Sequence, residues 1–158
     1  MRELILLRHA HAEPAAPGQA DLDRPLSAEG LAEAEAAGRW LAEQNLVPDC
    51  VLCSPARRAR ETLEAVLGKI GYVEQRVEDG IYEATSGTLI SLADANNEVT
   101  RLMLVGHNPG FEQFAALLHS GQSGDHRGMP PGGIAVLSLP ANTPLEPGIA
   151  TLSAFWWP

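Results

Sequence analysis

Leu4-Ile5-Leu6-Leu7-Arg8-His9 sets four large aliphatic residues in a row against an arginine and a histidine, with a polar segment following. Such a run reads as a buried strand that ends at the edge of a sheet. A buried strand is a rigid mount, and it would present Arg8 and His9 at the carboxyl end of a sheet, where open α/β folds bind ligands. An imidazole can attack an electrophile and a guanidinium gathers oxyanions with fixed donor geometry, so the pair suggests phosphate chemistry. Taken alone, a short Arg-His after an apolar run is more often an ordinary strand end.

The rest of the chain repeats the arrangement. Arg101 to Val105 is a second clear buried strand, closed by Gly106-His107-Asn108-Pro109-Gly110; Asn108 can cap and Pro109 begin a helix through Phe111, Phe114, Ala115, Leu117 and Leu118. Val47 to Cys53 reads as a shorter strand, with Ser54 as N-cap and Pro55 as first helical residue of a helix to about Gly68. Arg57, Arg58 and Arg60 fall in its first turns, badly placed for the helix dipole. Such a local conflict often marks function.

Between these landmarks, Ala10 to Pro25 holds three prolines and a glycine and reads as a surface loop. Ser27 looks like the N-cap of a helix to about Gln44, with Leu31, Ala34, Gly38, Leu41 and Ala42 on its inner face. Tyr72 to Val77 suggests a third strand, Ile81-Tyr82-Glu83 a connection, and Gly87 to Ala95 a short helix. Ser120 to Gly133 reads as a mobile loop, and Ile134 to Leu139 and Ile149 to Trp156 as late strands. Strands alternating with helices predict a three-layer α/β/α sandwich with a mostly parallel central sheet. The expectation is a single domain over 1–158 with no large cap insertion.

Composition narrows the function. A net charge of −9 disfavours an extended nucleic-acid or anionic-membrane surface, so an anionic substrate needs a local positive pocket. No apolar window is long enough to span a bilayer and the start lacks a leader pattern, which predicts a soluble, cytoplasmic protein. Cys50 and Cys53 have the Cys-x-x-Cys spacing of a redox pair but lie three apart on a predicted strand, so their thiols should face opposite sides as free, buried or half-buried cysteines.

If the strand ends are neighbours, Arg8, His9, Arg58 and His107 converge, a local inversion of sign on an acidic protein. Phosphoryl transfer is mostly positioning and electrostatic stabilisation. Arg8 and Arg58 can donate in forks, His107 can add a donor, and His9 can attack phosphorus through its free nitrogen while the other donates to a backbone carbonyl. No metal or other cofactor is required. His9-Ala10-His11-Ala12-Glu13 hints at a cation site, but neighbouring Arg8 and Arg58 argue against one.

Leu7-Arg8-His9-Ala10, Asp23-Arg24-Pro25-Leu26-Ser27 with Gly30, Ser54-Pro55-Ala56-Arg57-Arg58-Ala59 with Thr62, and Gly106-His107-Asn108-Pro109 together resemble the motif set of the histidine phosphatase superfamily. Shortness and the Arg-Pro-Leu-Ser segment resemble its SixA-type phosphohistidine phosphatase branch, over roughly residues 3 to 139. The resemblance implies that His9 is the phosphorylated nucleophile and that Arg8, Arg58 and His107 form the phosphate pocket, with Asn108 a further substrate contact. It favours Arg58 over Arg57, because Ser54 to Arg58 matches the family spacing. Ala10 stands where many members have glycine. Glu83 is the nearest match to the family's acidic proton donor and is equally readable as a solvated loop carboxylate.

The expected activity is a metal-independent phosphatase acting on phosphohistidine in a signalling or phosphotransfer protein. A small-molecule phosphomonoesterase and a non-catalytic phosphoprotein-binding module are the alternatives. Arg24 is expected to pair with Asp21, Asp23 or Glu29, His11 to be a loop residue, and Trp40 to be packing. Trp156 and Trp157 are readable either as core or as an exposed patch.

Overall fold

A computed structural model describes residues 1–126 and 128–158. Arg127, inside the predicted 120–133 loop, lies outside the described residues. In chain order the elements are β1 (Glu3–Arg8), α1 (Ala28–Glu43), β2 (Cys50–Cys53), α2 (Arg57–Ile70), β3 (Glu74–Val77), α3 (Ser86–Asp94), β4 (Arg101–Gly106), α4 (Gly110–Ser120), β5 (Ile134–Ser138) and β6 (Thr151–Trp156).

The six strands form one sheet in the order β3-β2-β4-β1-β5-β6. The first four are parallel, with Leu4 opposite Leu102 and Cys53 opposite Val105. β5 runs antiparallel to β1, and β6 antiparallel to β5. The central strands are buried on both faces, which is why they read as unbroken apolar runs. Leu4, Leu6, Leu52 and Leu104 pack with Leu89, Phe111 and Phe114 of α3 and α4. Ile5, Leu7, Val51 and Val105 pack on the other side with Ala37, Leu41, Leu63 and Val66 of α1 and α2. The result is the expected three-layer sandwich. Cys50 joins the first cluster and Cys53 the second, so the two free thiols diverge across the sheet.

Several boundaries differ from the sequence reading. The buried face of α1 is Gly30, Ala34, Ala37, Gly38 and Leu41, while Leu31 and Ala42 point outward. Gly30 sets that phase: a Cβ there would lie 1.9 Å from the carbonyl oxygen of His11, so only glycine lets the loop after β1 cross this helix. α2 begins at Arg57 with Ala56 at the cap position, two residues later than the Ser54-Pro55 signal, and ends at Ile70 with Gly71 as its C-cap. β3 is exposed at all four residues, and Tyr72, expected to begin that strand, lies outside it and is 87 % exposed. Residues 120–133 contain a fixed point, since Met129 is 2 % exposed. Trp156 stacks on Trp40 at 5.5 Å between centroids, whereas Trp157 is 55 % exposed. Among the described residues no helix is long and apolar enough to cross a membrane.

Candidate active site

The parallel strands β1, β2 and β4 end side by side, and each delivers a side chain to the same edge of the sheet. β1 ends at Arg8 and His9, β4 leads into His107, and β2 continues through Ser54 to Arg58 on the first turn of α2. Gly106 makes the passage from β4 possible, because a Cβ there would meet the Phe111 ring at 2.6 Å. The predicted convergence is therefore present. A cavity of about 520 Å³ opens at this edge, lined by His9, Arg58 and His107 together with Asp21, Tyr82 and Glu83.

His9 is oriented for attack. Its Nδ1 lies 2.7 Å from the carbonyl oxygen of Ala10, an acceptor only, so Nδ1 carries the proton and Nε2 keeps its lone pair. Burial pulls the ring's pKa down to about 4, partly offset by the Ala10 bond and reinforced by Arg58 and Arg8. At neutral pH His9 is an uncharged ring with a free lone pair on Nε2. The His107 ring lies 5.1 Å away, centroid to centroid, tilted by 56°. Burial lowers its pKa to about 3, with His9 and Arg58 adding to the effect, so this ring too is neutral. Its Nε2 is 2.7 Å from Ser54 Oγ, while its Nδ1 is buried with no protein partner.

Arg58 is 6 % exposed and held at two points of the loop after β1: Nη1 donates to the Asp21 carbonyl at 2.8 Å and Nη2 to the Asp21 carboxylate at 3.0 Å. Its Nε is buried and unpartnered. Arg57 instead faces outward and pairs with Glu61 at 3.2 Å. Arg8 is not among the residues that line this cavity; its Nη1 donates to the Met129 carbonyl at 2.7 Å, and its Nε is another buried donor without a partner. Burial lowers the Arg8 pKa, against the opposing influence of Glu112 and Glu33. Three ring or guanidine nitrogens at one strand edge are thus buried without a protein partner, and two of them, Arg58 Nε and His107 Nδ1, belong to side chains that line the cavity. Thr62 ties the pieces together, accepting from the Ala10 N–H at 3.1 Å and donating to the Arg58 carbonyl at 2.7 Å.

Glu83 lies on the cavity rim, exposed, with a left-handed backbone at φ 58°. Asn108 also lines the cavity, but its amide donates to Glu112 at 3.2 Å and to the Met129 carbonyl at 3.0 Å, so its hydrogens are spent on pinning the loop. Arg24 donates to Asp21 and to the Glu13 carbonyl, shaping the loop as expected. His11 bonds Ser27 Oγ at 2.7 Å at the head of α1.

Asp21 and Tyr82 are the site residues that sequence reasoning missed. The Tyr82 hydroxyl donates to the Asp21 carboxylate, its ring meets His107 edge-on at 5.5 Å, and the Arg58 guanidinium sits 6.0 Å from the ring centre. Tyr82, with Arg24 and Arg58, holds Asp21 well below the usual carboxylate range. Asp21 was read only as a partner of Arg24. Nothing local signals its bond to a guanidinium 37 residues away.

Residues 4–108 match the family model of the histidine phosphatase superfamily, branch 1, and the chain belongs to that superfamily. An uncharacterised protein of Mycobacterium tuberculosis is 38 % identical over 94 % of this chain and 98 % of its own length. Among solved structures, a chain of Agrobacterium tumefaciens provisionally assigned as the phosphohistidine phosphatase SixA is 36 % identical, covers 99 % of both chains and superposes with a TM-score of 0.83. A second such chain, from Nakamurella multipartitia, is 30 % identical over 99 % of this chain and 96 % of its own, with a TM-score of 0.85. Family and neighbours support a phosphatase of the SixA-type branch.

Proposed function

We propose that the protein removes phosphate from phosphohistidine carried by a cytoplasmic signalling or phosphotransfer protein, through a phosphohistidine intermediate at His9. The observation that carries this reading is the His9 ring itself: neutral, with Nδ1 bound to the Ala10 carbonyl and Nε2 left as a lone pair in a cavity it shares with Arg58 and His107. His9 Nε2 forms a bond to phosphorus as the bond to the substrate imidazole breaks; that electron pair stays on the leaving nitrogen, which takes a proton. Water then attacks phospho-His9, the N–P bond breaks back onto His9, and inorganic phosphate leaves with a net water added across the original bond. The unpaired Nε of Arg58 and Nδ1 of His107 supply donors for the equatorial oxygens.

Two observations support a protein-borne phosphohistidine. No separate domain covers the cavity among the described residues, so a side chain on another protein can enter. The Agrobacterium and Nakamurella chains, 36 % and 30 % identical, carry a provisional phosphohistidine phosphatase assignment. The cavity contains an exposed carboxylate, Glu83, which favours a second reading, a small-molecule phosphomonoesterase with Glu83 as proton donor. An imidazole leaves more readily than an alkoxide, so the two readings part on the need for that acid.

The test is hydrolysis, in chelator, of a phosphohistidine-bearing protein and a phosphoramidate beside a panel of phosphate esters. Fast N–P cleavage that survives Glu83→Gln supports the first reading. Ester cleavage alone, lost in Glu83→Gln, supports the second. No turnover of any substrate leaves a phosphoprotein-binding module.

A further inference from the structure

Ser54 is the residue at which β2 leaves the sheet, and it is fully buried. Its sequence context, Ser-Pro before a helix, is that of an N-cap, yet its hydroxyl caps no helix. The backbone is fixed by its own N–H bond to the Val105 carbonyl at 3.0 Å. The oxygen accepts the Ala56 N–H at 3.2 Å, at the turn that launches α2 and Arg58. The remaining contact of the hydroxyl is His107 Nε2 at 2.7 Å.

That contact has two possible proton assignments, and the surroundings choose between them. If Nε2–H donated to Ser54, the serine proton would be buried with no acceptor among the described residues. His107 Nδ1 would then be a buried lone pair with no donor to meet it among the described residues, on a ring that lines the cavity. If the hydroxyl donates to Nε2, the serine oxygen accepts from Ala56, its proton is satisfied, and Nδ1 becomes an N–H donor. Nδ1 is the buried nitrogen without a protein partner. The second assignment pairs every hydrogen of the Ser54 hydroxyl and leaves one donor for an anion.

We infer that Ser54 is a positioning residue, fixing His107 as the neutral tautomer with its proton on Nδ1, directed at a phosphoryl oxygen. The inference rests on the phosphoryl-transfer reading for its catalytic meaning, though not for the tautomer itself. Neutrality serves the neighbour. An imidazolium at this distance from His9 would weaken the nucleophile's basicity and could hand it a proton, whereas a neutral Nδ1–H donor stabilises the oxygens without that loss. The same hydroxyl ties His107 to the start of α2, so the two donors that flank His9 on different elements share one anchor.

The experiment is a long-range proton–nitrogen NMR spectrum of the whole, nitrogen-15-labelled protein at pH 7. The wild type is expected to show His107 with a protonated Nδ1 and an unprotonated, hydrogen-bond-accepting Nε2. The opposite tautomer, or an imidazolium, overturns the inference whatever the activity of the enzyme. In Ser54→Ala the His107 tautomer should become mixed or reverse, and kcat on a phosphoramidate should fall about tenfold to a hundredfold, less than the full cost of deleting an oxyanion donor. An unchanged spectrum and rate in Ser54→Ala would also overturn it. If the wild type shows the expected tautomer but turns over no substrate, the proposed function fails and the proton assignment stands.

Discussion

Arg58 and Asp21 are joined twice, the guanidinium donating through one terminal nitrogen to the carboxylate at 3.0 Å and through the other to the backbone carbonyl at 2.8 Å. The loop after β1 thereby fixes the orientation of the arginine on α2, and the Nε that remains is the donor left for a phosphate oxygen. Asp21→Asn keeps the carbonyl contact and removes the charge. It should lower kcat/KM about tenfold, equivalent to about 1.4 kcal/mol, with the circular dichroism spectrum unchanged. A rise in kcat/KM would instead mark Asp21 as a competitor for the guanidinium.

The fork geometry of Arg58 matters beyond its charge. Arg58→Lys should cost about 10²–10³ in kcat, the range for losing one aligned oxyanion donor. Arg57→Lys, on the exposed pair with Glu61, should stay within about twofold of wild type, since such surface pairs contribute little. Steady-state kinetics on a phosphoramidate separates the two, and equal losses would contradict the assignment of Arg58 to the pocket.

Stability should depend on pH through the two rings. Burial holds His9 at about 4 and His107 at about 3, whereas an unfolded histidine titrates near 6.5. Between those values the unfolded chain binds more protons than the fold, so stability is fully present above about pH 6.5 and is lost as pH falls toward 4. The denaturant midpoint of wild type should therefore drop more between pH 7 and pH 5 than that of His107→Gln. Parallel slopes would contradict the burial of this ring.

Much of this was legible in the sequence because it is local. The apolar runs of β1 and β4 announce strands buried on both faces, and Ser27 with its hydroxyl 3.0 Å from the Gly30 N–H announces the head of α1. Convergence of His9, Arg58 and His107 on one cavity followed from parallel strands ending at one edge, whereas Arg8, expected there too, does not line it. What escaped depends on partners distant in sequence. Ser54 looks like a cap, but the half-buried imidazole of His107 just after β4 takes its hydroxyl, and the helix starts later. The bonds of Asp21 to Arg58 and Tyr82 join loop, helix and connection, so no window of sequence contains them. β3 is an exposed edge without apolar alternation, which leaves its limits unmarked. Residues 120–133 read as mobile from composition, although Arg8 and Asn108 both bind the Met129 carbonyl.

The central claim is covalent chemistry at His9, and the most direct measurement is a rapid-quench experiment in chelator with a protein substrate radiolabelled at phosphohistidine. The account predicts acid-labile, alkali-stable label on His9 during turnover, and neither label nor turnover in a folded His9→Ala variant. Turnover without label on His9, or turnover retained in His9→Ala, would contradict it.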